Sequence, residues 1–169
     1  MTQPTSTVYF VAGLCAAFAV NSGLTSDHQQ LLLQAALLHD VGKSRIPPAI
    51  LNKSGALSKP ETDVMRTHPA LGHAMLSGQR GMNPVILDVV LHHHEYLDGT
   101  GYPDRLQGRQ ISDYVRIVTI CDIYAALIER RPYRAPTPHQ QALAVLTDLG
   151  VKLDRNMLKH FEAVVADSG

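Results

Sequence analysis

Net charge, cysteine and long apolar runs are scarce in this sequence, and each shortage excludes something. Fifteen Lys and Arg balance fifteen Asp and Glu over 169 residues. No nucleic-acid polymer or anionic membrane is therefore expected as a partner through bulk charge. The two cysteines, Cys15 and Cys121, lie in apolar stretches and form neither a CxxC pair nor a zinc-finger spacing. Buried free thiols of a reducing compartment are the expectation. The apolar run VYFVAGLCAAFAV, residues 8–20, falls short of the roughly 20 residues a spanning helix needs. MTQPTST before it has no Lys or Arg, whereas a secretory leader starts with positive charge. The run reads as a buried core helix of a cytoplasmic protein without membrane insertion.

Strand-like alternation, internal repeats and low-complexity tracts are also missing, and what remains is helix. Hydrophobic residues make up 45% and charged residues 18%, the balance of an ordinary globular chain long enough for one good core. One all-α domain of about seven helices over residues 1–169 is expected. The first helix spans 7–22 and ends at Asn21-Ser22-Gly23. The second starts at the cap candidates Thr25 to Asp27 and is closed by Gly42. IPPAILNKSGALSKP makes an irregular connector. Ser58-Lys-Pro-Glu61 is a capping box that launches a helix through about Leu76. Pro84 opens PVILDVVLHHHEY, and a glycine-rich loop occupies 97–108. Ser112 and Asp113 cap the long stretch ISDYVRIVTICDIYAALIERR, Thr137 and Pro138 start another helix, and 154–166 form the last.

The nine histidines cluster. His39-Asp40 ends an otherwise apolar helix, where a charged Asp is costly unless paired or bound to a cation. A surface helix end whose histidine favours the dipole is an equal reading of that pair alone. His68 precedes Pro69, and His73 lies too far round the helix axis to be its partner. In His92-His93-His94 two neighbours can ligate one centre and the third points away. Asp122 stands among apolar residues on both sides, which calls for a metal or a basic partner. Imidazole and carboxylate without thiolate suit Fe, Mn, Zn or Ni, and a bridged pair of ions suits phosphoester hydrolysis.

Taken together these stretches resemble the HD-GYP proteins, a branch of the HD metal-dependent phosphohydrolases. The matching pieces are HDVGK (39–43), IPPAILNKSGALSKPE, THPALGHAML, HHEYLDGTGYPDRLQGRQIS (93–112) and RIVTICDIYAALIERRPYR (116–134). They follow the family's order over about residues 24–134. HHE followed by DGxGYP is the most specific of them. The resemblance implies a multi-helix HD-type bundle that hydrolyses cyclic di-GMP or a related cyclic dinucleotide. It assigns His39, Asp40, His68, His93, His94 and Asp122 as metal ligands, with Asp40 and Lys43 catalytic and Lys43 beside the attacked phosphate. Tyr102 and Pro103 would lie near the substrate. Arg131 and Arg134 would hold its phosphates, and two guanidinium forks around Pro132-Tyr133 suit that task. Glu95 is expected to orient an imidazole N–H.

Departures from the family pattern narrow these expectations. Thr7 stands where the family carries a histidine, Gln3 where trinuclear members add a glutamate, and Ala125 where a second Asp is common. Two divalent ions are therefore expected and a third is not. The alternative is a partly degenerate module that binds the nucleotide or a signalling partner without turnover. Regulation is expected from a homodimer, a diguanylate cyclase or a sensor partner.

Overall fold

In the computed structural model, residues 4–129 and 136–166 are described. Their α-helices are α1 (Pro4–Asn21), α2 (Ser26–Leu38), the single turn α3 (Pro48–Leu51), α4 (Lys59–Met65), α5 (His68–Ser77), α6 (Pro84–His92), α7 (Asp113–Ile128), α8 (His139–Asp148) and α9 (Arg155–Ala166). Short 3-10 turns fill Val41–Arg45, Gly108–Gln110 and Gly150–Lys152. No β-strand occurs among the described residues, and an isolated bridge joins Asp98 to Gln107.

Residues on α7 make its centre. Val115, Val118, Ile120, Cys121 and Ala125 are all but inaccessible to solvent, and α7 is packed by α1, α6, α8 and α9. A helix apolar on several faces is stable only when surrounded in this way. Cys15 on α1 and Cys121 are both buried free thiols. Contrary to the sequence reading, α1 is not wholly buried. Val11, Ala12, Cys15, Phe18 and Ala19 face the core while Tyr9 and Val20 stand 67% and 65% exposed. It packs on α2, α7 and α9, which leaves its far side uncovered. No helix among the described residues is long and apolar enough to cross a membrane.

Local signals fix several helix ends. Asn83 Oδ1 accepts from the Val85 N–H at 2.9 Å, with Pro84 at the first helical position of α6. The capping box of α4 is formed as its sequence suggests. The Ser58 N–H donates to Glu61 Oε2 at 2.7 Å, and Lys53 Nζ reaches the same oxygen at 2.5 Å. The Lys53 and Ser58 donors hold the Glu61 pKa down, to about 2. A carboxylate with a depressed folded pKa contributes stability above its unfolded value and loses it as pH falls through the folded one. Glu61→Gln is therefore expected to lower Tm slightly at pH 7. Thermal scans of the two proteins should converge between pH 4.5 and about 2.

Several boundaries differ from the sequence reading: α1 starts at Pro4, α3 lies within the connector and α6 stops at His92; two further differences shape the site. The helix expected from Ser58 to Leu76 is broken into α4 and α5. In an unbroken helix residue 69 would donate to the Met65 carbonyl, but Pro69 has no N–H. Gly42 does not close a helix either. It lies within the Val41–Arg45 turn, pressed against α5: a Cβ at this position would come within 1.9 Å of the His68 carbonyl oxygen and 2.5 Å of Gly72 N. Only glycine lets that turn approach so closely, and the approach carries Asp40 to His68.

Candidate metal centre

The C-terminal ends of α2 and α6 supply His39 and His93, the first residue of α5 is His68, and each ring is fixed in the same way. His39 Nδ1 lies 2.6 Å from the Ala36 carbonyl in the last turn of α2. His68 Nδ1 lies 2.8 Å from Met65 O, the carbonyl that Pro69 leaves without a helical donor. His93 Nδ1 lies 3.1 and 3.2 Å from Val90 and Val89 carbonyls at the end of α6. Carbonyls only accept, so each Nδ1 carries a proton and each Nε2 is turned toward the Asp40 carboxylate. The Thr119 hydroxyl on α7 donates to the His93 carbonyl at 2.9 Å and ties this end of α6 to the central helix.

Asp40 sits among these nitrogens with both oxygens close to them. Its Oδ1 is 3.2 Å from His68 Nε2 and 3.7 Å from His93 Nε2. Its Oδ2 is 3.2 Å from His39 Nε2 and 2.5 Å from Lys43 Nζ. Asp122 on α7 places Oδ1 3.7 Å from His39 Nε2. Two overlapping donor groups result: Asp40, His68, His93 and His94, and His39, Asp40 and Asp122. Asp40 is common to both. Within each group the donor atoms lie within 4.8 Å of one another, so each group could hold a metal ion.

Three observations show that these residues fit metal. His39 Nε2 and Asp40 Oδ1 are buried and without a hydrogen-bond partner, a costly state that a cation removes. His68 Nε2 and His93 Nε2 approach to 3.2 Å, two lone pairs that need positive charge between them. The donor set of imidazole and carboxylate suits a divalent transition ion.

Electrostatics point the same way. Burial opposes the His39 cation, but the Asp40 and Asp122 carboxylates outweigh it and raise the His39 pKa well above its ordinary value. Burial likewise opposes the Asp40 anion, and His39, His68 and His93 overcome it, holding the carboxyl well below its usual range. Burial keeps His93 and His94 neutral, with pKa values below the ordinary one. Carboxylates that favour a proton on His39 also favour a dication in its place.

His92 takes no part in either donor group. Its Nδ1 meets Asp88 Oδ1 at 2.7 Å and its Nε2 meets Asp104 Oδ2 at 3.0 Å, while Ser112 donates to Asp88 Oδ2 at 2.6 Å. The chain of four links α6, the glycine-rich loop and the start of α7. Burial opposes the His92 cation, but Asp88 and Asp104 together raise its pKa.

Glu95 corrects an expectation. It orients no imidazole; its buried carboxylate accepts the backbone N–H groups of Asp104, Arg105 and Leu106 at 2.6, 2.8 and 3.1 Å. A buried anion is tolerable with three donors aimed at it. The loop is thereby drawn back over the cluster, and Gly101 packs so tightly that a Cβ would lie 2.5 Å from Glu95 Cα. Tyr102 then stacks on His94, with ring centroids 4.8 Å apart and 25° between planes, while Pro103 is exposed next to it. Burial pushes the Tyr102 hydroxyl pKa up, the nearby Arg66 acting in the opposite sense. The Arg66 guanidinium lies over the Tyr102 ring, 5.1 Å from its centroid.

Thr7 lies outside both donor groups, and its hydroxyl donates to Glu129 at the end of α7. Ala125 is buried in the apolar core. His73 is half-buried on α5 and belongs to neither group. Arg131, Arg134 and Gln3 lie outside the described residues. Arg66 was missed by the sequence reading. Its position just before the His68-Pro69 break was the available signal, but only the folded loop brings Tyr102 onto it.

A helical bundle closed around buried histidines and a shared carboxylate defines a class of all-α proteins with a metal-competent core. The chain belongs to the HD domain family, whose profile matches residues 1–157. It is 40% identical over 131 residues to a cyclic di-GMP phosphodiesterase of Pseudomonas aeruginosa, covering 78% of this chain and 32% of that protein. A 3'3'-cGAMP-specific phosphodiesterase of Vibrio cholerae is 35% identical over 162 residues, covering 92% of this chain and 31% of its own length. The chain thus spans about a third of the length of these relatives. An HDG"Y"P protein from Bdellovibrio bacteriovorus shares the fold with a TM-score of 0.79 at 22% identity, over 96% of this chain and 52% of that one.

Proposed function

We propose that this chain is a metal-dependent phosphodiesterase acting on cyclic di-GMP or a related cyclic dinucleotide. Asp40 carries the proposal: one carboxylate shared by two donor groups, with a buried oxygen that lacks a hydrogen-bond partner. Its relatives' names, a cyclic di-GMP and a cGAMP phosphodiesterase, supply the substrate class. In this reading two divalent ions are held by His39, Asp40, His68, His93, His94 and Asp122.

Bound metal ions lower the pKa of a coordinated water and neutralise phosphoryl oxygens. Around them, the protein's own groups position and screen. Nδ1 contacts to helix-end carbonyls keep the Nε2 lone pairs of His39, His68 and His93 aimed inward. Lys43, 2.5 Å from Asp40, would offer its ammonium to the scissile phosphate. The Glu95-anchored loop sets Tyr102 beside His94 as an apolar wall for the bound nucleotide. Arg131 and Arg134 are assigned to the substrate phosphates on the family resemblance.

Turnover of cyclic di-GMP, cGAMP and cyclic di-AMP by anaerobically purified protein loaded with Mn or Fe tests the proposal. Chromatography should show a linear dinucleotide or mononucleotide, and a chelator should abolish the product. Metal-loaded protein that binds but never cleaves any of the three would overturn it in favour of a binding module.

A further inference from the structure

We infer that Arg66 binds the second phosphodiester of the cyclic dinucleotide, the one not undergoing cleavage; this rests on the function proposed above. A cyclic dinucleotide carries two phosphodiesters on one ring. When one lies at the metal-binding cluster, the other needs a cation close to that cluster but not part of it.

Arg66 meets this requirement on four counts. Tyr102 lies 4.8 Å from the His94 ring and 5.1 Å from the Arg66 guanidinium, so the cation sits within about 10 Å of a cluster histidine. Its side chain is exposed, and no carboxylate among the described residues lies within ion-pair distance of it. Three other cations differ in this respect. Lys43 contacts Asp40 at 2.5 Å, Lys53 contacts Glu61 at 2.5 Å and Arg116 contacts Asp154 at 3.0 Å.

The third count is geometric. An aromatic face holds a guanidinium by its plane and leaves the N–H edge free, and that edge matches the oxygens of a phosphate. The fourth concerns the backbone. The Arg66 N–H donates to Thr62 O at 2.9 Å, in the turn between α4 and α5 that also delivers His68. The backbone position of the cation is thus set by the same break that builds the cluster, and Tyr102 is the ring it lies over.

Calorimetry with cyclic di-GMP and cyclic di-AMP, together with steady-state kinetics, tests the assignment. Arg66→Ala should weaken Kd and raise KM by roughly tenfold for both nucleotides, a charged hydrogen bond's worth, with kcat changed far less. Arg66→Lys, which keeps charge without the fork, should fall between. Metal content and Tm should match wild type, since the side chain is exposed. Unchanged Kd in Arg66→Ala overturns the inference. A loss confined to the guanine nucleotide also overturns it, since that would make Arg66 a base reader. Failure of the parent reading looks different: wild type would show no turnover, while binding would still report on Arg66. Absence of binding in wild type overturns both.

Discussion

Asp40→Asn should empty both donor groups at once. The amide keeps one acceptor oxygen and replaces the other with an NH2 donor, so it cannot offer an anionic oxygen on each side. His68 and His93 lose the carboxylate 3.2 and 3.7 Å away, and His39 loses the one at 3.2 Å. Loss of a single orienting partner at a metal site costs about 10- to 100-fold in affinity or activity. A shared ligand should cost more, and kcat/KM is expected to fall by more than about 100-fold. Elemental analysis should show both of the proposed ions depleted. Asp122→Asn gives the contrast, because Asp122 belongs only to the group with His39, and it should deplete one. Circular dichroism should show both variants folded. Full metal content and turnover in Asp40→Asn would remove the basis for a shared ligand.

Gly42→Ala should be the most damaging Gly→Ala substitution among the described residues. The added methyl would stand 1.9 Å from the His68 carbonyl oxygen, 2.5 Å from Gly72 N and 3.0 Å from Gly72 Cα. All three are backbone atoms, which cannot swing aside as a side chain can. Overpacking of this kind costs about 3 kcal/mol or more, which for a chain of this size lowers Tm by roughly 6–12 °C. The turn carrying Asp40 would also be pushed off α5, and metal affinity should fall with stability. Gly13→Ala is the control. Nothing lies within 4 Å of a Cβ there, and an alanine within α1 should leave Tm unchanged or slightly higher. Equal Tm for Gly42→Ala and wild type would show that the turn has room the geometry denies it.

Much of the architecture was legible along the chain. Pro84, Ser112 and the Ser58–Glu61 box mark helix starts because caps and prolines act on the nearest few backbone groups. The apolar run around Asp122 marked a buried helix, and α7 is that helix. The break between α4 and α5 was legible only in part. Pro69 was visible, but the surrounding periodicity argued for continuity, and the use of the freed Met65 carbonyl by His68 emerged only from the folded geometry.

The sequence by itself determined which chemistry was available: six imidazole and carboxylate donors, a glycine-rich loop and cations nearby. It also marked most of the helices that carry them, since periodicity and capping are local, but not the break that starts α5 at His68. Tertiary structure alone decided that Asp40 faces both donor groups and that Glu95 holds backbone amides rather than an imidazole. It alone laid Arg66 on Tyr102. These outcomes depend on ångström-scale approach between segments distant along the chain, such as Gly42 against Gly72. Spacing within a helix states which way a side chain points, but only packing determines what it meets.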